Sequence, residues 1–326
     1  TWRELVRTYT EAGRPNEARL AGDALRLLGA ATEREQSVLG RNPPRPGGAR
    51  PGSLAPLLDR LGSPSARQTA TGNLLRSLEA ALAKLYPPDL ESYGLSSRDK
   101  RTTRAGSPLK HLADELAAIL GVESYELYVH RARTRGLGLE LGTPSMIIVP
   151  AAVAELSKAQ QVFLLARPLV HIARGYSAVD KLTPRELEVL LASAARNVRA
   201  GYGAGLTSEE FLDDQAKRLY KALSRRQRKA MEEAGRSYVE AGRVDFALWV
   251  HSARRTSHRV AALLSVDLMA TIDVLRRTER DLAGLDGPAL VRSSDTVSDL
   301  LTFWASKAAM HVRKHTGLLQ DPSALP

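Results

Sequence analysis

The chain has 326 residues, enough to bury a core as one large or two ordinary domains without metal or disulfide staples. It contains no cysteine, which excludes disulfides, cysteine-zinc knuckles, iron–sulfur clusters and thiol catalysis. The 47 Lys+Arg against 36 Asp+Glu leave a formal net charge of +11, which attracts anionic partners but is also what Arg-, Ala- and Gly-rich high-GC coding produces.

Aromatic residues make up only 5%, and the abundance of Ala, Leu and Arg favours helices over sheets. At the start of the chain, Trp2, Leu5, Val6 and Tyr9 fall on one helical face. A turn follows at Gly13-Arg14-Pro15-Asn16, and Ala18 and Leu25 mark a second helix. This Trp, Leu, Tyr, Gly and small-residue spacing resembles one tetratricopeptide repeat. A single repeat cannot bury its own faces, so the resemblance implies that residues 1–40 end a longer array. The sequence opens at Thr1 in mid-pattern and without methionine, so an upstream segment is expected. No signal peptide is visible and no apolar run approaches the roughly 18 residues of a membrane span. A cytoplasmic location is the expectation.

Residues 41–65 open with RNPPRPGGARP (Arg41 to Pro51), a Pro/Gly/Arg-rich run read as an extended linker or loop and as a domain boundary. Helical patterns follow over Ala66 to Tyr86 and Pro108 to Leu120, with the basic stretch LSSRDKRTTRAGS between them as an exposed loop. Apolar runs at Tyr125 to Val129, Gly136 to Leu141 and Met146 to Val149 predict a small sheet of about three strands. From Ala151 onward the period is helical. Ser157 and Gln160 form a capping-box pattern, so a helix should start there and end at Gly175. Further helices are expected over Pro184 to Arg199, Ser208 to Leu223, Arg225 to Ala241, Asp245 to Leu264, Asp267 to Leu282 and Ser294 to His315.

Two local patterns carry no function. Gly136-Leu137-Gly138-Leu139 lacks the third glycine and following helix of a nucleotide loop. LTPRELEVLLASAAR, from Leu182, is similar to the first helix of a LuxR-type DNA-binding domain, but Gly201, Gly203 and Gly205 break the expected second turn and recognition helix.

The run ELGTPSMIIVPAAVAELSKAQQVFLLARPLVHIARGYS resembles the core of gluzincin metallopeptidases, where an edge strand and short helix precede the helix bearing His-Glu-x-x-His. In that family the two histidines bind zinc, the glutamate activates a metal-bound water, and a later helix supplies a third ligand through Glu-x-x-Ala-Asp-x-x-Gly. The resemblance covers Leu109 to Leu275 and implies a peptidase-like fold. Arg167 stands at the first histidine, Pro168 at the catalytic glutamate, Arg254 at the third ligand and His258 at the supporting aspartate. Only His171 matches. Two guanidiniums would repel a dication, and the water would have no base. Proline inside a helix also removes a hydrogen bond, at a cost of about 3 kcal/mol.

The resulting expectation is a mainly α protein. It joins a tetratricopeptide-like hairpin (1–40), a linker (41–65) and an α+β pseudo-metallopeptidase domain (66–326) with its sheet near 125–149. The expected role is a non-catalytic scaffold or assembly subunit binding other proteins, with no cofactor. Tetratricopeptide proteins of high-GC bacteria that lead into degenerate peptidase-like domains are similar in organisation. Arg167 and Arg254 could turn the former metal pocket into an anion site. One alternative is a nucleic-acid-binding protein acting through Lys217, Arg218, Lys221, Arg225, Arg226, Arg228 and Lys229. The other is a metallopeptidase with unconventional ligands, His171 with His251 or His258.

Overall fold

A computed structural model describes residues 1–40, 48–62, 69–132 and 135–318. The described residues form sixteen α-helices and one small mixed sheet, so the chain is mainly helical. The N-terminal hairpin consists of α1 (Trp2–Glu11) and α2 (Pro15–Leu27). Gly13 turns between them with φ 64°, a left-handed conformation that favours glycine. α1 buries no residue fully, and its apolar face is only half covered, leaving Leu5 38% exposed. α2 is buried along nearly its whole length, with Leu20, Ala24 and Leu27 in the main core. A third helix, α3 (Glu33–Gly40), was not anticipated.

Parts of the expected linker, 41–47 and 63–65, and the expected start of the next helix, 66–68, lie outside the described residues. Residues 48–62 are not an extended linker. Leu54, Leu57, Leu58 and Leu61 are buried in the same core as α2. Their i, i+3, i+4, i+7 spacing is a helical signal that the flanking Pro and Gly residues obscure. Backbone hydrogen bonds pin the segment, with Gly52 N–H donating to the Ala118 carbonyl at 2.8 Å and Leu54 N–H to the Ile119 carbonyl at 3.2 Å. Each fully buried leucine contributes about 1.5–3 kcal/mol, which makes this stretch part of the core.

The single helix expected over Ala66 to Tyr86 is two, α4 (Thr69–Ser77) and α5 (Glu79–Leu85). The sheet has four strands rather than three: β1 (Lys100–Arg101), then, after α6 (Pro108–Leu120), β2 (Glu126–His130), β3 (Gly138–Glu140) and β4 (Met146–Pro150). β1 lies in the basic stretch read as a loop. Two exposed residues cannot show apolar alternation, and β1 is defined by its antiparallel ladder to β2 and the 2.6 Å Lys100–Glu126 ion pair. The order is β1-β2-β4-β3, with β2 and β4 parallel and β3 antiparallel to β4 at the edge. Ile147 and Val149 of β4 and Phe163 and Leu165 of the following helix are fully buried together in the main core.

That helix is α7 (Lys158–Arg174). Ser157 caps it reciprocally with Gln160, and Gly175, at φ 66°, ends it. It continues through Pro168, whose missing N–H leaves the Leu164 carbonyl without its intrahelical donor. Then come α8 (Ala178–Lys181), α9 (Pro184–Ala195), α10 (Glu209–Ala222), α11 (Arg225–Ala241), α12 (Phe246–Ser265) and α13 (Leu268–Thr278). α14 (Gly287–Ser293), α15 (Asp295–Trp304) and α16 (Lys307–Thr316) complete the described chain. The helix expected from Ser294 to His315 is divided because Ser306 starts a new one, its hydroxyl accepting from Ala309 N–H at 3.2 Å. Among the described residues no helix is long and apolar enough to cross a membrane.

Two apolar clusters result. The main core gathers α2, residues 49–61, α6, the sheet, α7 and the C-terminal helices. A second gathers α4, α5, α9, α10 and α11 with Tyr176, Val179 and Leu182. α12 contributes to both, with Phe246, Trp249, Val250 and Ala253 in the second cluster and Val260 to Leu264 in the first.

Candidate binding site

Arg167, Pro168 and His171 lie one turn apart on α7, and Arg254, Ser257 and His258 one turn apart on α12. The two helices face each other at the seam between the clusters, so all five residues singled out at the degenerate motif line one cavity of about 540 Å³. The edge strand β3 forms another wall through Gly138, Leu139 and Glu140. Tyr93 covers Gly138 closely: a Cβ at that glycine would lie 2.3 Å from the tyrosine hydroxyl. Asp180 and Lys181 of α8 and Glu279, just after α13, complete the polar lining. Sequence reasoning missed these acids and Lys181. They come from separate elements with no shared spacing, and only Glu140, a carboxylate in an otherwise apolar strand, was a signal.

His171 is 3% exposed, with Nδ1 at 3.4 Å from the Tyr176 carbonyl and 4.0 Å from Asp180. Burial lowers its pKa below the ordinary value, and Asp180 only partly opposes this, so the ring is neutral at pH 7. His258 is 8% exposed, stacks on Phe163 with ring centroids 6.0 Å apart, and makes no hydrogen bond among the described residues. Burial and then Arg167 hold its pKa well below the ordinary value. His251 does not line the cavity.

Arg167 lies 5.6 Å from the Phe163 ring centroid and makes no hydrogen bond or ion pair among the described residues. Burial lowers its pKa, and Asp180 and Glu279 oppose that shift. A guanidinium nevertheless remains protonated. Arg254 donates to the Val179 carbonyl at 2.9 Å and is otherwise exposed. Lys181 is ion-paired to Glu140, which also accepts from Asp89 N–H at 3.3 Å. Glu279 has no ion-pair partner among the described residues; burial raises its pKa and Arg167 lowers it. Two guanidiniums at the ligand positions do not fit a zinc site. No group of three His, Asp or Glu side chains among the described residues is arranged to hold a metal.

The cavity's charged lining is mixed, because Asp180 and Glu279 share it with Arg167 and Arg254. The basic segment is separate, at the junction of α10 and α11. Lys217, Arg218, Lys221, Arg225, Arg226 and Lys229 are exposed and make no ion pair among the described residues. Arg228 folds back, donating to the Tyr220 carbonyl at 2.7 Å with its guanidinium 4.5 Å from the Tyr220 ring centroid.

No family model, curated protein or solved structure matches the chain.

Proposed function

We propose that the chain is a non-catalytic, protein-binding scaffold or assembly subunit, cytoplasmic, with a tetratricopeptide-like N-terminal hairpin and an inactivated gluzincin-like domain. The observation that carries this reading is the convergence of Arg167, Pro168, His171, Arg254 and His258 on one cavity beside an edge strand. The five positions line one cavity, and the side chains there are wrong for zinc. β3 is an edge strand of the sheet, and on this reading a partner would contribute an extended segment beside it.

The test is metal analysis of the purified chain combined with a peptide-cleavage assay and crosslinking in native extract. Zinc well below one per chain, no cleavage and a crosslinked protein partner are expected. About one zinc per chain with cleavage would overturn the reading in favour of a peptidase with unconventional ligands.

The unpaired cations at the α10–α11 junction favour a second reading, contact with a polyanion such as nucleic acid. Nonspecific DNA should then bind at low ionic strength and be released as salt rises, with a shallower salt dependence after Arg225 and Arg226 are changed to Gln. Absence of binding at low ionic strength removes it.

A further inference from the structure

We propose that the cavity between α7, α12 and β3 binds a small zwitterion, a ligand carrying both a carboxylate and an ammonium group, of the amino-acid or dipeptide class. Its charges divide into a satisfied pair and an unsatisfied remainder. Lys181 and Glu140 neutralise each other. Arg167, Arg254, Asp180 and Glu279 remain, two cations and two carboxylates, and none is ion-paired to a lysine, arginine, aspartate or glutamate among the described residues. Asp180 approaches the His171 ring, with Nδ1 at 4.0 Å from its carboxylate.

This remainder discriminates between ligand classes. A simple anion would meet Asp180 and Glu279, and a simple cation or metal ion would meet Arg167 and Arg254. A ligand with one group of each sign meets complementary charge at both and leaves the cavity electrically neutral. The cavity is partly shielded from water, so mismatches cost more and matches contribute more than at the surface. His258, more than nine-tenths buried and without a hydrogen bond, adds an unpartnered polar group to the same wall. Apolar groups line part of the cavity as well: the Tyr93 ring, Leu137, Leu139 and Pro168 suit an aliphatic side chain.

This inference goes beyond the scaffold reading, because binding of a small ligand is measured without any protein partner. The full chain is titrated calorimetrically with L-leucine, leucyl-leucine, N-acetyl-leucine and leucinamide. At least one of the first two should bind saturably, and the single-charge analogues should each bind about tenfold more weakly or worse. Stronger binding of leucine identifies a free amino acid as the ligand type, and stronger binding of leucyl-leucine a short peptide. Arg167→Met should weaken the zwitterion but not leucinamide, and Glu279→Gln should weaken the zwitterion but not N-acetyl-leucine.

The analogue series on the unaltered chain decides the matter even if a variant misfolds. Absence of saturable binding by both zwitterions overturns the proposal. N-acetyl-leucine binding as tightly as leucine also overturns it, in favour of a plain anion site. Zinc content and peptide cleavage, measured on the same sample, report separately on the non-catalytic reading.

Discussion

At the residue scale, His171 and His258, the two buried histidines of the cavity, make stability depend on acid. An unfolded chain titrates them near the ordinary 6.5, whereas burial holds both below it in the fold. As pH falls below that value, the unfolded state takes up protons that the folded state refuses, so these residues lower stability on acidification. Asp23 acts in the opposite direction. Burial raises its pKa from 3.8 to about 6, so its folded form is protonated first and its contribution grows as pH falls through about 6. The assignment is therefore read from a variant. His258→Leu should shrink the drop in urea midpoint between about pH 7 and about pH 5, and an equal drop in the variant would place the acid sensitivity elsewhere. The same substitution removes the unpartnered Nδ1, so stability at neutral pH should not fall.

At the scale of elements, two alanine substitutions separate local propensity from packing. Gly72 lies inside α4, where alanine ordinarily stabilises by about 1 kcal/mol. A Cβ there would lie 1.8 Å from the hydroxyl of Tyr176, a ring that is 3% exposed and packs on Trp249 with centroids 5.4 Å apart. Gly72→Ala should therefore destabilise, by about 1–3 kcal/mol in denaturant unfolding, because the ring has nowhere to retreat. Pro168→Ala should do the reverse. It restores a donor to the Leu164 carbonyl and relieves a helix cost of about 3 kcal/mol, less the buried ring it removes, for a net gain of about 1–2 kcal/mol.

Periodicity and caps made such elements legible: the α7 capping box and the α6 and α11 boundaries follow directly from the sequence. The packed segment containing Leu54 to Leu61 was hidden because proline and glycine beside it dominate the local signal. β1 was hidden because its two residues are specified by a partner strand rather than by themselves. The motif at Arg167 and Arg254 located the cavity, but Asp180 and Glu279, which change its character, converge only through tertiary packing.

At the scale of the whole molecule, the two apolar clusters share α12, and neither can dissolve without unseating it. Thermal unfolding should therefore be one cooperative transition, with near- and far-ultraviolet circular dichroism changing together. Trp249→Ala, at a site 1% exposed in the second cluster, should lower stability by about 3–5 kcal/mol and keep the transition single. A second resolved transition would mean that the clusters melt separately. The shared helix has an optical consequence as well. Trp249 sits little more than one turn before Arg254 and packs on Tyr176, whose carbonyl approaches His171. The indole is thus linked to α7 through Tyr176 and shares α12 with Arg254, and a ligand that shifts either helix should register in its emission without any added label.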